Sequence, residues 1–224
     1  MIRGTSFGQR FRKATFSNFK VTKYNADAFN ACKDLASGKN SGVVLIGPVG
    51  VGKTHLMVSL AREFDRAKSH VPQDTHSEGD WRAIPPTREL IANAVDASEP
   101  DSVGPSLDVL EISHQAHVEF WPMLDLSSEL RSAAMTGDLS LSHRCRECDL
   151  LVLDDLGREK ISEFILQEFQ RIIDWRYREM LPIAVATNLP RGDIADRYGE
   201  HTSSRWTESC DVVEIHGPDY RVEV

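Results

Sequence analysis

No apolar run in this chain approaches the roughly 18 residues that a membrane span needs. A spanning helix is therefore excluded. Cysteine is scarce, at four in 224 residues. The opening stretch MIRGTSFGQRFRKATF is positively charged but has no apolar segment, so no signal peptide is expected. A cytosolic, reducing location is the default. Cys32, Cys145, Cys148 and Cys210 are then thiols or ligands rather than a disulfide framework. No internal repeat is found. Positive charge is also in short supply, with a formal net charge of −8. That balance would usually argue against a nucleic-acid partner, but its distribution says more. Residues 1–23 hold six basic side chains and no acid, whereas residues 67–114 hold nine acids against three bases. The mean charge thus describes no single face.

What is present suits a globular protein. Apolar residues make up 41% and charged residues 27% of the chain, both ordinary values. The length allows one domain with a full core. After a basic arm over residues 1–13, the stretch Asn25 to Ser37 reads as a helix, with Asn25 as N-cap and Gly38 as its stop. GVVLI (Gly42 to Ile46) is a buried strand, and an apolar helical pattern follows to about Phe64. Residues 67–114 differ: they hold five of the ten prolines and the acidic excess, and read as an insertion. Strand character returns at His117 to Leu124. A helix with Asp125 as a candidate cap, the strand DLLVL (Asp149 to Leu153) and an amphipathic helix (Ser162 to Met180) come next. In that helix Phe164, Ile165, Phe169, Ile172 and Trp175 recur near a 3.6 period. PIAVATN, RGDIADRYG and DVVEI supply a strand, a short helix and a last strand. Strands alternating with helices predict an α/β domain around a parallel sheet.

Gly47-Pro48-Val49-Gly50-Val51-Gly52-Lys53-Thr54 matches G-x-x-x-x-G-K-[ST] throughout, with a strand before it and a helix after it. The chemistry needs these residue types. Glycines let the backbone curl around phosphates with N–H groups pointing inward. The helix N-terminus adds its positive dipole end. Lys53 is placed to reach the β- and γ-phosphates and Thr54 to ligate Mg²⁺. A metal site of this kind also requires an acid at a second strand end. LLVLDD supplies Asp154 for the metal and Asp155 to polarise an attacking water. Lys53 and Asp154 lie 101 residues apart; without the acidic segment the remaining chain suffices for a helix, a strand and a helix. Asn188 ends the strand in VATN, where it either orients a water against the γ-phosphate or serves as a turn or capping residue.

The order TFSNF, GPVGVGKTHL, DLLVLDDLG, QRIIDWRY, ATNLP, SSRW, GPDYR resembles the AAA+ ATPases of the DnaC/DnaI helicase-loader group and the related IstB-type transposition ATPases. The likeness spans most of residues 14–221 apart from the insertion. It implies a five-stranded parallel sheet flanked by helices, ATP-dependent self-association, single-stranded DNA contact and remodelling of a ring helicase, or alternatively of a transposase. By the same resemblance Asn188 corresponds to sensor 1, Arg205 to an arginine finger acting on a neighbouring subunit, and Arg221 to the sensor-2 arginine. The nucleotide-binding set becomes Gly47 to His55 with Phe19; Phe16 and Phe19 are equally readable as core aromatics. ATP and Mg²⁺ are the implied cofactors.

The chain departs from that pattern in three places. It has Gly199-Glu200-His201 where the family often has GER. It places the core about 14 residues from its start, without the N-terminal domain that loaders commonly use to grip a helicase. It ends three residues after Arg221, so no separate helical lid is expected. A non-hydrolysing, nucleotide-gated adaptor and a small-molecule P-loop kinase are the competing classes, and the paired Asp with Asn188 fits hydrolysis better than the kinase. Cys145 and Cys148 form a C-x-x-C, but no second pair accompanies them and structural zinc takes four ligands. They read as thiols at the entrance to the Asp149–Leu153 strand.

Overall fold

The computed structural model describes residues 1–4, 7–68 and 116–221. The acidic segment expected at 67–114 therefore lies almost entirely outside the described residues. Six strands form one all-parallel sheet: β1 (Ile2–Gly4), β2 (Gly42–Ile46), β3 (Val118–Pro122), β4 (Leu150–Leu156), β5 (Ile183–Thr187) and β6 (Asp211–Glu214). Their order across the sheet is β1-β3-β4-β5-β2-β6. The helices are α1 (Gly8–Phe11), α2 (Ala26–Ala36), α3 (Lys53–Lys68), α4 (Met123–Thr136), α5 (Ser140–Glu147), α6 (Glu163–Arg178), α7 (Arg191–Tyr198) and α8 (Glu200–Ser209).

Both faces of the sheet are covered, and the strand sequences show why. Side chains alternate between faces along a strand. Val43 and Leu45 of β2, Leu150 and Val152 of β4, and Ala184 and Ala186 of β5 join a core with α2 and α3. Val44, Ile46, Leu151, Leu153, Ile183 and Val185 join a second core with α4 to α8. Strands buried on both sides are largely apolar, hence the unbroken runs of β2 and β5; the buried Glu119 of β3 is accommodated by accepting from Trp121 and Arg144.

Five of the strands are those expected from the sequence; the sixth, β1, corrects the count. Its residues were assigned to a basic arm because three residues give no strand signal of their own. Pairing supplies it: Ile2, Arg3 and Gly4 lie in register with Val118, Glu119 and Phe120 at the sheet edge. Phe7, Phe11 and Arg12 of the arm also have partners. Phe7 packs edge-on against Phe120 at 4.8 Å, and Phe11 packs on the same core. Arg62 of α3 donates to the carbonyls of Ala14 (2.8 Å) and Arg12 (2.7 Å).

Smaller differences follow from local competition. Asn25 occupies the N-cap position of α2, but its side chain makes no cap bond; its Oδ1 accepts from Thr22 N–H at 2.7 Å instead. Asp125 falls in the first turn of α4 rather than at its cap. In α6 the stripe rotates: Phe164 is exposed, and Ile173 and Arg176 take buried places. Helices α5 and α8 have no clear apolar period, each burying few side chains, chiefly Leu141 and Cys145 in one and Trp206 in the other.

Candidate active site

Parallel strands end together, so residues that follow them meet at one edge. β5 lies between β2 and β4. That order places Asn188, just after β5, between the glycine-rich loop after β2 and the acidic end of β4. Lys53, at the start of α3, closes the arrangement. Its ammonium donates to the carbonyls of Gly47 and Pro48 and to Oδ1 of Asn188, each at 2.7 Å. Burial lowers the Lys53 pKa to about 8, opposed by the charges of Asp155 and Asp154 and reinforced by Arg221. Within the loop Gly52 has φ +100°, and a Cβ there would come within 2.8 Å of the Phe19 ring. Glycine is thus needed for both the left-handed backbone and the close approach.

The acidic strand end carries a distortion. β4 pairs Leu153 with Val185 and then Leu156 with Thr187, so β4 advances one residue more than β5. Asp155, inside that bulge, has φ +54°. A bulge re-aims side chains at a strand end. Asp154 is buried, and Asp155 is half-exposed and paired with Arg158 at 3.1 Å. Burial and then the neighbouring Asp155 push the Asp154 pKa up to about 6, opposed by the Thr54 hydroxyl and Lys53. Asp154 Oδ1 is buried without a hydrogen-bond partner. An unpartnered carboxylate oxygen beside a threonine hydroxyl is a hard oxygen donor set that fits Mg²⁺. Thr187, wholly buried, links the strand ends: its hydroxyl donates to Leu156 O at 2.8 Å and accepts from Leu189 N–H at 3.0 Å.

The flanking segments close around the loop. Tyr220 N–H donates to Gly50 O at 3.2 Å, and the Tyr220 hydroxyl lies 3.2 Å from that of Thr22. Arg221 follows, exposed, near enough for its charge to act on Lys53. Phe19 stacks on Phe29 with centroids 5.9 Å apart, and Phe16 meets Phe29 edge-on. The His55 ring is committed to the 3-10 turn at Phe16–Asn18, with Nε2 3.1 Å from Thr15 O and 3.0 Å from Asn18 Oδ1. The Lys53, Thr54, Asp154, Asp155, Asn188, Arg221 and Phe19 positions therefore converge.

Arg205 does not join them. It sits on α8, ion-paired with Asp174 and 5.4 Å over the Tyr177 ring. The C-x-x-C lies away from the site too. Cys145 and Cys148 are fully buried, and burial raises both thiol pKa values. Arg176 donates to the carbonyls of both, at 3.0 and 2.9 Å. Sequence reasoning missed Arg158, Glu159 and Tyr198, all of which touch the acidic turn or its support. Only a fold could reveal them, because each acts through a partner that no motif specifies.

No family model matches the chain. Among curated proteins it is similar to the chromosomal replication initiator protein DnaA of Ruegeria sp. (strain TM1040), 24% identical over 217 residues, covering 94% of this chain and 36% of that one. The chain spans between 12% and 36% of the length of the curated relatives it matches. Among solved structures it superposes on the DnaC helicase loader with TM-score 0.66 and 19% identity, covering 93% of this chain and 99% of that one. It likewise superposes on AMPPCP-bound DnaA from Aquifex aeolicus with TM-score 0.64 and 20% identity, covering 92% and 50%. The fold is that of the AAA+ P-loop nucleotide-binding domains. Within that class the likeness runs to DnaC-type helicase loaders and to DnaA.

Proposed function

We propose that residues 14–224 form an ATP-hydrolysing AAA+ switch of the replicative-helicase-loader type, interrupted by the 67–114 insertion, which assembles on single-stranded DNA and loads or remodels a ring helicase. The observation that carries this reading is the meeting of Lys53, Asp154, Asp155 and Asn188 at three adjacent strand ends. The backbone of Gly47 to His55 and the Lys53 ammonium bind the phosphates. Phe19 offers a flat apolar surface for the base. Thr54 and Asp154 would hold Mg²⁺, which when bound neutralises charge building on the phosphate oxygens. Asp155 accepts a proton from the attacking water, and Asn188 orients that water. Arg221 adds positive charge from within the subunit. Arg205, on a separate helix, acts on a neighbour's nucleotide, so turnover depends on self-assembly. Similarity to a structure described as the DnaC helicase loader, and to DnaA bound to AMPPCP and single-stranded DNA, supports the nucleotide and DNA terms.

The test is ATP turnover with and without single-stranded DNA, at several protein concentrations. Arg205→Ala is expected to lower the assembly-dependent rate by about 10³-fold or more. Asp155→Asn should retain ATP and trap the assembly with its client. Recovery of a hexameric helicase supports loading; recovery of a transposase moves the reading to an IstB-type ATPase. ATP binding without phosphate release under all conditions leaves a nucleotide-gated adaptor.

A further inference from the structure

The turn that carries Asp154 and Asp155 is tied down by a residue outside the nucleotide motifs. Glu159 lies in the loop after β4 and is buried. Each of its carboxylate oxygens has its own donor. Oε2 accepts the Gly157 N–H at 3.0 Å. Oε1 accepts the Tyr198 hydroxyl, with Arg197 Nη2 3.5 Å away. Arg197 also donates to the Glu159 carbonyl at 2.5 Å. Tyr198 is the last residue of α7, and its own carbonyl accepts from Gln170 of α6 at 2.9 Å and from Thr202 of α8 at 3.1 Å. On the other side, Gly157 has φ +102°, and a Cβ there would come within 2.7 Å of Leu189, the neighbour of Asn188.

A buried carboxylate persists only when its oxygens are well satisfied. Two of the groups facing Glu159, the Gly157 N–H and the Arg197 guanidinium, can only donate, and they face different oxygens of one planar group. Glutamine supplies one acceptor and one donor and no charge, so it serves Gly157 or Arg197 but not both, although the Tyr198 hydroxyl can turn to accept from the amide. This chemistry distinguishes Glu159 from a residue that merely fills space. Its bonds run from the acidic turn to the helix pair whose second member carries Arg205.

We propose that Glu159 is a positioning residue for hydrolysis: through Gly157 it sets the Asp155 carboxylate, and through Tyr198 it couples that setting to α8 and Arg205. The inference rests on the roles given above to Asp155 and Arg205.

Glu159→Gln and the milder Tyr198→Phe test it. ATP turnover is measured over a range of protein concentrations, nucleotide affinity with a fluorescent ATP analogue, and amide exchange by mass spectrometry. For Glu159→Gln, kcat should fall about 10²-fold, the scale of a small misplacement of a reacting group. Affinity should stay within about twofold. Exchange should quicken in peptides covering residues 153–160 and stay unchanged over 47–54. Glu159→Asp, which keeps two acceptors, should recover part of the rate. Tyr198→Phe leaves the Gly157 bond intact, so it should keep the dilute-protein rate and lose the rise with concentration. The proposal is overturned if Glu159→Gln turns over like the wild type, or if rate, affinity and folded fraction fall together. Full activity in Glu159→Gln with Asp155→Asn inactive sinks this inference alone. Full activity in Asp155→Asn and Arg205→Ala sinks the hydrolytic reading, and this inference with it.

Discussion

Lys53 joins parts of the chain that lie far apart in sequence, since its ammonium reaches Asn188, 135 residues downstream. Phosphate oxygens are stronger, charge-assisted partners than backbone carbonyls. Bound nucleotide should therefore draw the ammonium from Gly47 and Pro48 and free the Asn188 amide to hold a water. Asn188→Ala is expected to lower kcat about 10²-fold, as for loss of one orienting contact. ATP affinity measured by equilibrium titration should barely change. Equal losses in both would assign Asn188 to nucleotide binding instead. At this scale the sequence was most readable where a function occupies neighbouring residues. GPVGVGKT and LLVLDD hold, in consecutive positions, residues that the fold brings together at adjacent strand ends. Glu159 was unreadable because its meaning comes from Tyr198, 39 residues away. Arg205 was singled out only through the resemblance, and no spacing distinguishes it from other arginines; in the fold it pairs with Asp174.

The strand ends act as elements rather than as single residues. Thr187 bridges β4 and β5 where the bulge breaks the regular ladder, accepting from Leu189 N–H and donating to Leu156 O. Thr187→Val preserves shape and removes both bonds. A part-buried amide and a buried carbonyl then lose this partner, so stability should drop by about 1–3 kcal/mol. Urea unfolding checks this, and an unchanged midpoint would show that the ladder alone holds the strand ends. Strands were predicted well because burial on both faces leaves an apolar run. α5 and α8 escaped because SLSHRCRE and EHTSSRWTES are mostly polar and are helical through packing on α6 and its neighbours. β1 escaped for a related reason: three residues at a sheet edge are specified by their partner, not by their own sequence.

For the whole molecule, one buried cation stitches separate layers. Arg176 of α6 is 1% exposed. It donates to the carbonyls of Cys145 and Cys148 at the end of α5 and to that of Pro182 before β5. Carbonyl oxygens accept from Nη1 and Nη2 of the planar fork, Nε is buried without a hydrogen-bond partner among the described residues, and burial lowers the Arg176 pKa. Arg176→Met should destabilise the protein by about 3 kcal/mol, because several buried carbonyls lose their donor together. Arg176→Lys should recover little, since one ammonium cannot span the fork's contacts. Chemical denaturation of both variants is the measurement, and full rescue by lysine would refute the geometric account. The C-x-x-C lies against the same residue. The carbonyls of both cysteines and the Cys148 sulfur accept from the guanidinium at the sheet's entry side, while Asp154 and Asp155 sit at the opposite end of β4.

The bulge at the end of β4 has a consequence for how this protein could change. Asp155 occupies a left-handed conformation that glycine adopts without strain and most other residues resist. The backbone at that position and the reaction assigned to it therefore favour different residues. Glycine would relax the turn and discard the carboxylate. Under the proposed function, selection for thermal stability alone would drift toward a glycine there and a chain that binds nucleotide without turning it over, and a requirement for turnover would hold the aspartate in place.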